Sequence, residues 1–77
     1  MKIQILISKT SWANEYKSYI KFRLKKYTNT IKFFDKHKNL KKNYDINIIF
    51  SYFKIIPKKF LSFSKTNLIP HESKLPE

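Results

Sequence analysis

The chain has 77 residues and a formal charge of +12, and it contains neither glycine nor cysteine. This length permits at most one small domain, the lack of glycine excludes glycine-rich phosphate loops, and the lack of cysteine excludes disulfides. A cysteine-free chain favours a reducing compartment, so we expect a cytoplasmic protein. No apolar run is long enough to span a bilayer, so we expect no membrane partner.

The positive charge has two competing explanations. A strongly basic protein suits polyanionic partners such as nucleic acid. However, Lys, Asn, Ile, Phe and Tyr make up 45 of the 77 residues, and Lys outnumbers Arg 16 to one. All five abundant residue types have AT-rich codons. We therefore expect base composition to explain most of the charge, which bears on solubility rather than on fold.

The first two predicted elements are a strand and a long helix. Residues 2–8 form an aliphatic run typical of a strand that is buried on both faces. Thr10 or Ser11 can cap the start of a helix that we predict over residues 12–27. Its larger apolar residues recur at spacings of three and four, so we expect them to pack on the sheet. They are Trp12, Tyr16, Tyr19, Ile20, Leu24 and Tyr27.

The rest of the chain predicts three more strands and a short helix. The strands are expected at residues 30–34, 45–51 and 67–70, with a polar connector over 36–43. Pro57 suits the first position of a short helix that runs to about residue 63. This alternation predicts an α/β fold, a partial Rossmann-like parallel sheet with flanking helices.

His71 is the main candidate for chemistry. It follows the last predicted strand, and open α/β sheets carry ligand and catalytic groups at the carboxyl ends of their strands. A histidine there can polarise a carbonyl or shuttle a proton, although a surface histidine is the alternative. His37 lies between two lysines and is expected to be a solvated loop histidine. Asp35 and Asp45 are expected to be a loop and a strand-start residue, and no metal-binding set is expected.

Two segments of the last third carry a family resemblance. Residues 69–76 read Ile-Pro-His-Glu-Ser-Lys-Leu-Pro, and residues 50–60 read Phe-Ser-Tyr-Phe-Lys-Ile-Ile-Pro-Lys-Lys-Phe. Together with the first strand, they resemble the N-terminal catalytic domain of the formyltransferase family that uses 10-formyltetrahydrofolate. The His-Glu-Ser lettering and the early Ser-Trp are similar to methionyl-tRNA-formyltransferase-like members. Some relatives of that kind formylate amino sugars.

The resemblance implies roles for particular residues. His71 would be the catalytic histidine that stabilises the oxyanion formed when an amine attacks the formyl carbon. The family has an Asn two residues earlier, where this chain has Ile69, and Asn67 is the nearest amide. The residues expected to contact the folate are Tyr52, Ile55, Ile56 and Pro57. Phe53 stands where the family's turn has glycine.

The same resemblance implies a cofactor, a formyl acceptor and how much of the family's catalytic domain the chain would form. The cofactor would be 10-formyltetrahydrofolate, and the acceptor an amine on an aminoacyl-tRNA or an amino sugar. Residues 1–77 would form an incomplete formyltransferase domain, because the family's glycine loop and its later Asp would follow Glu77. We therefore expect the chain alone to transfer no formyl group.

A small basic module that binds single-stranded nucleic acid is the alternative. Lysines at positions 17, 21, 25 and 26 lie beside tyrosines at 16, 19 and 27, and charge with base stacking is how such modules hold a strand. The same residues are the only support for a basic amphipathic helix on a membrane surface. We prefer the interpretation in which the aromatic stripe packs on the sheet.

Overall fold

The computed structural model describes residues 1–69, in which four strands form one sheet. The strands are β1 (Lys2–Leu6), β2 (Thr30–Phe34), β3 (Tyr44–Ile49) and β4 (Ser64–Leu68). They lie in the order β2-β1-β3-β4, and every neighbouring pair is parallel. The structure therefore confirms an α/β fold with a parallel sheet.

Short helical segments form the connections. A 3-10 helix (Trp12–Tyr16) leads directly into α1 (Lys17–Leu24), a 3-10 turn (His37–Asn39) lies between β2 and β3, and α2 (Lys58–Leu61) precedes β4. Ser11 is the cap of the first helix, since its Oγ accepts a hydrogen bond from the Ala13 backbone N–H at 3.0 Å. No helix among residues 1–69 is both long enough and apolar enough to cross a membrane.

The sheet is covered on both faces because β1, one of its two inner strands, carries apolar side chains on both faces. Ile3, Ile5 and Ile7 of the first strand region are buried on one face, where Ile20 and Leu24 of α1 pack against them. The opposite face holds a second cluster, covered by the β2–β3 connector and by α2. Its members are Leu6, Leu40 and Ile49, with Phe34, Tyr52, Ile56, Phe60, Leu61 and Phe63 packed around them. Side chains alternate along a strand, so a doubly buried strand reads as a continuous apolar run.

One buried polar side chain joins the sheet to the connector. Gln4 of β1 is fully buried, and its amide donates to the Lys41 carbonyl at 2.9 Å and accepts from the Lys41 backbone N–H at 2.9 Å. Its nitrogen also lies 3.2 Å from Ser64 Oγ, at the start of β4. Buried amides are tolerated when their donors and acceptors are paired, and Gln4 meets that condition.

The bounds of two predicted elements need correction. The helix predicted over residues 12–27 is a 3-10 helix followed by α1, which ends at Leu24. The last strand begins at Ser64, three residues before the predicted start at Asn67. Its residues are mostly exposed because β4 is an edge strand, so it lacks the apolar run by which a strand is recognised. The other predicted strands agree with the structure to within two residues at each end.

The aromatic stripe predicted over residues 12–27, called here the first helical region, packs on the sheet only in part. Ile20 and Leu24 contact the core as predicted, but Trp12 and Tyr16 are each 49% exposed, and Tyr19 and Tyr27 are more exposed still. The initial 3-10 helix has three residues per turn, so it shifts the phase of Trp12 and Tyr16 relative to a stripe spaced for 3.6. Tyr27 lies beyond the end of α1 at Leu24. Trp12 keeps one edge contact with Phe50, at a centroid distance of 5.7 Å.

Candidate functional site at the carboxyl edge of the sheet

The loops that follow β1 and β3 lie side by side at the carboxyl edge of the sheet. β1 pairs with β2 on one side and with β3 on the other, so the chain leaves these two strands in opposite directions. In open α/β sheets this switch point forms a crevice where ligands bind. Residues 8–10 of the first loop and residues 52–54 of the second line a cavity at this edge.

Serine hydroxyls connect the two loops. Ser8 Oγ accepts a hydrogen bond from the Phe53 backbone N–H at 2.8 Å, and the hydroxyls of Ser11 and Ser51 are 2.7 Å apart. The Ser8 backbone N–H also donates to the Ser51 carbonyl at 3.3 Å. These bonds fix the position of the segment after β3 relative to β1.

Asn14 holds the loop after β1 from the helical side. Its Nδ2 lies 2.7 Å from the Ser8 carbonyl, 2.9 Å from that of Lys9 and 3.0 Å from that of Ser11. An amide NH₂ has two protons, so the three carbonyls share them. Nothing in the local sequence distinguishes Asn14 from other helix-start residues, and it was not predicted.

Ser51 carries the unusual backbone of the site. Its φ is +57°, in the left-handed region where a side chain is disfavoured. This conformation turns the chain out of β3 and into residues 52–57. Phe53, which stands where the turn that this segment resembles has glycine, is not among the described residues with positive φ, and its side chain is 65% exposed. The backbone at Phe53 therefore does not require glycine.

The four residues expected to contact folate occupy one continuous segment of this edge, in different environments. Tyr52 and Ile56 are half-buried and pack against the second core cluster, that of Leu6, Leu40 and Ile49. Ile55 is 93% exposed. Pro57 precedes α2 directly as its N-terminal cap, one position before the predicted one. The apolar side chain of Ile55 is therefore free to contact a bound molecule.

His37 is not the solvated loop histidine that was predicted. It is half-buried, its Nδ1 lies 2.8 Å from the Tyr52 hydroxyl, and its ring packs edge-on against Phe60 at 5.1 Å. The His37 backbone N–H also donates to the same hydroxyl at 3.0 Å. The contact spans 15 residues of sequence, and flanking lysines give no sign of it.

Asn67 makes structural contacts in β4. Its Oδ1 accepts from Asn47 Nδ2 at 3.0 Å, and its Nδ2 donates to the Leu61 carbonyl at 2.8 Å. The side chain therefore joins β4 to β3 and to α2, and its catalytic role stays a prediction. His71 lies outside the described residues, so its role also stays a prediction.

A cavity of about 280 Å³ opens between these loops. It is lined by Ser8, Lys9, Thr10, Asp35, Lys36, Tyr52, Phe53 and Lys54. Hydroxyls, ammonium groups and two aromatic rings suit the binding of a polar organic molecule with a negative charge.

Comparison of the chain with protein-family models, with curated proteins and with solved structures finds no match. The resemblance to formyltransferases therefore rests on the residue pattern of the chain itself.

Proposed function

We propose that this chain is the N-terminal part of the catalytic domain of a 10-formyltetrahydrofolate-dependent formyltransferase, which transfers a formyl group to an amine of an aminoacyl-tRNA or an amino sugar. One observation carries most of the support. Residues 52–54, the first half of the segment that resembles the family's folate-binding turn, line the cavity at the switch point of the parallel sheet. The switch point is where this class of fold binds its ligands.

Two features of the segment support folate binding. Ile55 presents a nearly free apolar side chain, and the hydrogen bond from Phe53 N–H to Ser8 holds the backbone beside it. Tyr52 is held in turn by His37. Bound 10-formyltetrahydrofolate would supply the activated formyl group. A segment fixed before binding costs less entropy to order when the ligand arrives.

In this proposal, His71 donates a hydrogen bond to the formyl oxygen as negative charge develops there, which is a large contribution in acyl transfer. β4 ends at Leu68, at the same carboxyl edge as β3, and the sequence that contains His71 follows it. Asn67 Nδ2 keeps a second proton besides the one donated to the Leu61 carbonyl, but the bonds to Leu61 and Asn47 hold its side chain against α2 and β3. We therefore assign to Asn67 mainly the positioning of β4.

The test is a formyl-transfer assay. The chain, joined to the remaining catalytic domain of a formyltransferase, is incubated with 10-formyltetrahydrofolate and with amino-sugar or aminoacyl-tRNA acceptors. The proposal expects turnover that falls about 100-fold or more in His71→Ala, as for the loss of one oxyanion donor. Lys74→Ala, three residues away, is the matched control and should keep its activity. Turnover that survives His71→Ala would contradict the proposed role. We place the activity in the cytoplasm, since the chain has no cysteine.

A second candidate function gains support from the exposed aromatic residues. The first helical region presents Trp12, Tyr16, Tyr19, Phe22 and Tyr27, each 49–72% exposed. Lysines and one arginine are interleaved among them. Exposed rings next to cations are the surface that holds single-stranded nucleic acid. Oligonucleotide affinity that falls steeply with salt, and falls further in a Tyr19→Ala and Tyr27→Ala double variant, would favour this function.

A further inference from the structure

Each of the first three strands delivers one lysine to a single cavity. Lys9 follows β1, Lys36 follows β2 and Lys54 follows β3, and all three line the cavity of about 280 Å³ at the carboxyl edge. One carboxylate, Asp35, faces them from the same lining. The cavity therefore has an excess of positive charge that comes from three separate loops.

The loops that carry these lysines are held in place by specific hydrogen bonds. The Lys9 carbonyl accepts from Asn14 Nδ2 at 2.9 Å, and the Lys36 carbonyl accepts from the Asn39 backbone N–H at 3.0 Å. Lys54 follows Phe53, whose backbone N–H is bound by Ser8. Three anchored lysines that meet at one cavity make a site whose backbone is ordered before a ligand binds.

We propose that this cavity binds an oxyanion of charge two or more, such as a phosphate, a pyrophosphate or a pair of carboxylates. The three lysines bring like charges to one cavity, and a multivalent anion offsets those charges through charge-assisted hydrogen bonds. The hydroxyls of Ser8 and Thr10 in the same lining supply further donors. The single Asp35 favours a ligand that carries its positive or donor groups on one side.

The neighbouring cavity gives the ligand room to extend. A second space of about 490 Å³ shares Lys9 and Asp35 with the first and continues past Asn14 and Lys17. An anionic group held by the three lysines can therefore be one end of a larger molecule.

Two molecules of the proposed reaction carry such an anion. One is the amine acceptor, through the phosphate of a nucleotide-linked sugar or of tRNA, and the other is the folate, through the carboxylates of its glutamate tail. This choice of source rests on the proposed function. The binding of a multivalent anion does not, because it follows from the lysines and the cavity alone.

Pyrophosphate titration of the full chain, followed by backbone NMR, tests the site. Two triple variants of equal charge are compared. One is Lys9→Gln, Lys36→Gln and Lys54→Gln in the cavity, and the other is Lys32→Gln, Lys58→Gln and Lys65→Gln at exposed positions outside it. The cavity variant should bind pyrophosphate about tenfold or more weakly, since three charge-assisted bonds are lost. The control should stay within about twofold, and equal losses in both variants would overturn the proposal.

Two competition arms identify the source and separate this inference from the proposed function. A nucleoside diphosphate and a folate pentaglutamate are each added to the pyrophosphate complex. Displacement of pyrophosphate by the nucleoside diphosphate alone assigns the site to the acceptor. Displacement by the folate pentaglutamate, but not by a monoglutamate folate, assigns the site to the glutamate tail of the folate. Both outcomes support the anion site. If a monoglutamate folate binds while no anion does, the proposed function stands and this inference falls. If anions bind and no folate does, the anion site stands and the proposed function falls.

Discussion

At the scale of single residues, Ser51 combines a strained backbone with a useful hydroxyl. Its left-handed φ of +57° carries a cost of about 1 kcal/mol for a residue with a Cβ, while its hydroxyl bond to Ser11 contributes about as much. The two effects oppose each other at one position. They can be separated by substitutions that remove one or both.

We expect Ser51→Ala to lower the free energy of unfolding by about 1 kcal/mol, because it loses the hydrogen bond and keeps the strain. Ser51→Gly loses the bond but relieves the strain, so its stability should lie within about 0.5 kcal/mol of the parent chain. Denaturant unfolding of both variants measures the difference. Equal destabilisation by the two substitutions would show that the backbone at Ser51 is unstrained.

Tyr52 and His37 give a second prediction at this scale. Tyr52→Phe removes the hydroxyl that serves both His37 Nδ1 and the His37 backbone N–H, and should cost about 1–3 kcal/mol because a partly buried donor loses its partner. Lys38→Ala, beside the histidine but exposed, should change stability by less than about 0.5 kcal/mol. Thermal unfolding compares the two variants. A Tyr52→Phe variant as stable as the parent would show that the bonds between Tyr52 and His37 do not stabilise the fold, as expected for a solvated histidine.

At the scale of elements, the sequence predicts strands better than it predicts helix faces. β1 and β3 are found from their aliphatic runs. A strand that is buried on both faces has apolar residues at successive positions, so it can be predicted without knowing which face each residue is on. The helix face depends on phase, and the 3-10 helix at Trp12–Tyr16 changes it. β4 was placed late because its exposed polar residues carry no apolar signal. Propensity and periodicity are local properties of the sequence. These errors arise where the surrounding structure determines the conformation and the burial of a segment.

The face of α1 can be tested by truncation. Ile20→Ala should lower the free energy of unfolding by about 2 kcal/mol, at the low end for a core truncation because Ile20 is only half-buried. Phe22→Ala, on the exposed side of the same helix, should have an effect below about 0.5 kcal/mol. In a chain of this size 2 kcal/mol is a large share of the total stability. A greater loss from Phe22→Ala than from Ile20→Ala would mean that the helix packs through its other face.

The contacts of the candidate site were beyond sequence analysis for a different reason. The serine bonds span 40 and 45 residues, and the tyrosine–histidine pair spans 15. No local pattern encodes such partners. The motif in residues 52–57 was recognised from its lettering, whereas the lysine cavity emerges only when three loops meet at one edge of the sheet.

At the scale of the whole molecule, the charge of +12 is compatible with either proposed function. It would raise the association rate of an anionic folate or of a nucleic acid alike. The two functions use different surfaces. Formyl transfer would use the carboxyl edge of the sheet, and nucleic-acid binding would use the exposed rings of the first helical region.

Titration of the chain with 5-formyltetrahydrofolate, a stable isomer of the formyl donor, tests the central claim most directly, with backbone NMR to locate the binding surface. We expect saturable shifts at residues 52–57 and 8–10. We also expect binding to weaken about tenfold in Ile55→Asp, whose exposed side chain leaves stability unchanged, and to stay the same in Phe22→Asp. Shifts confined to residues 12–27, or equal affinity in the two variants, would contradict a folate site at the carboxyl edge.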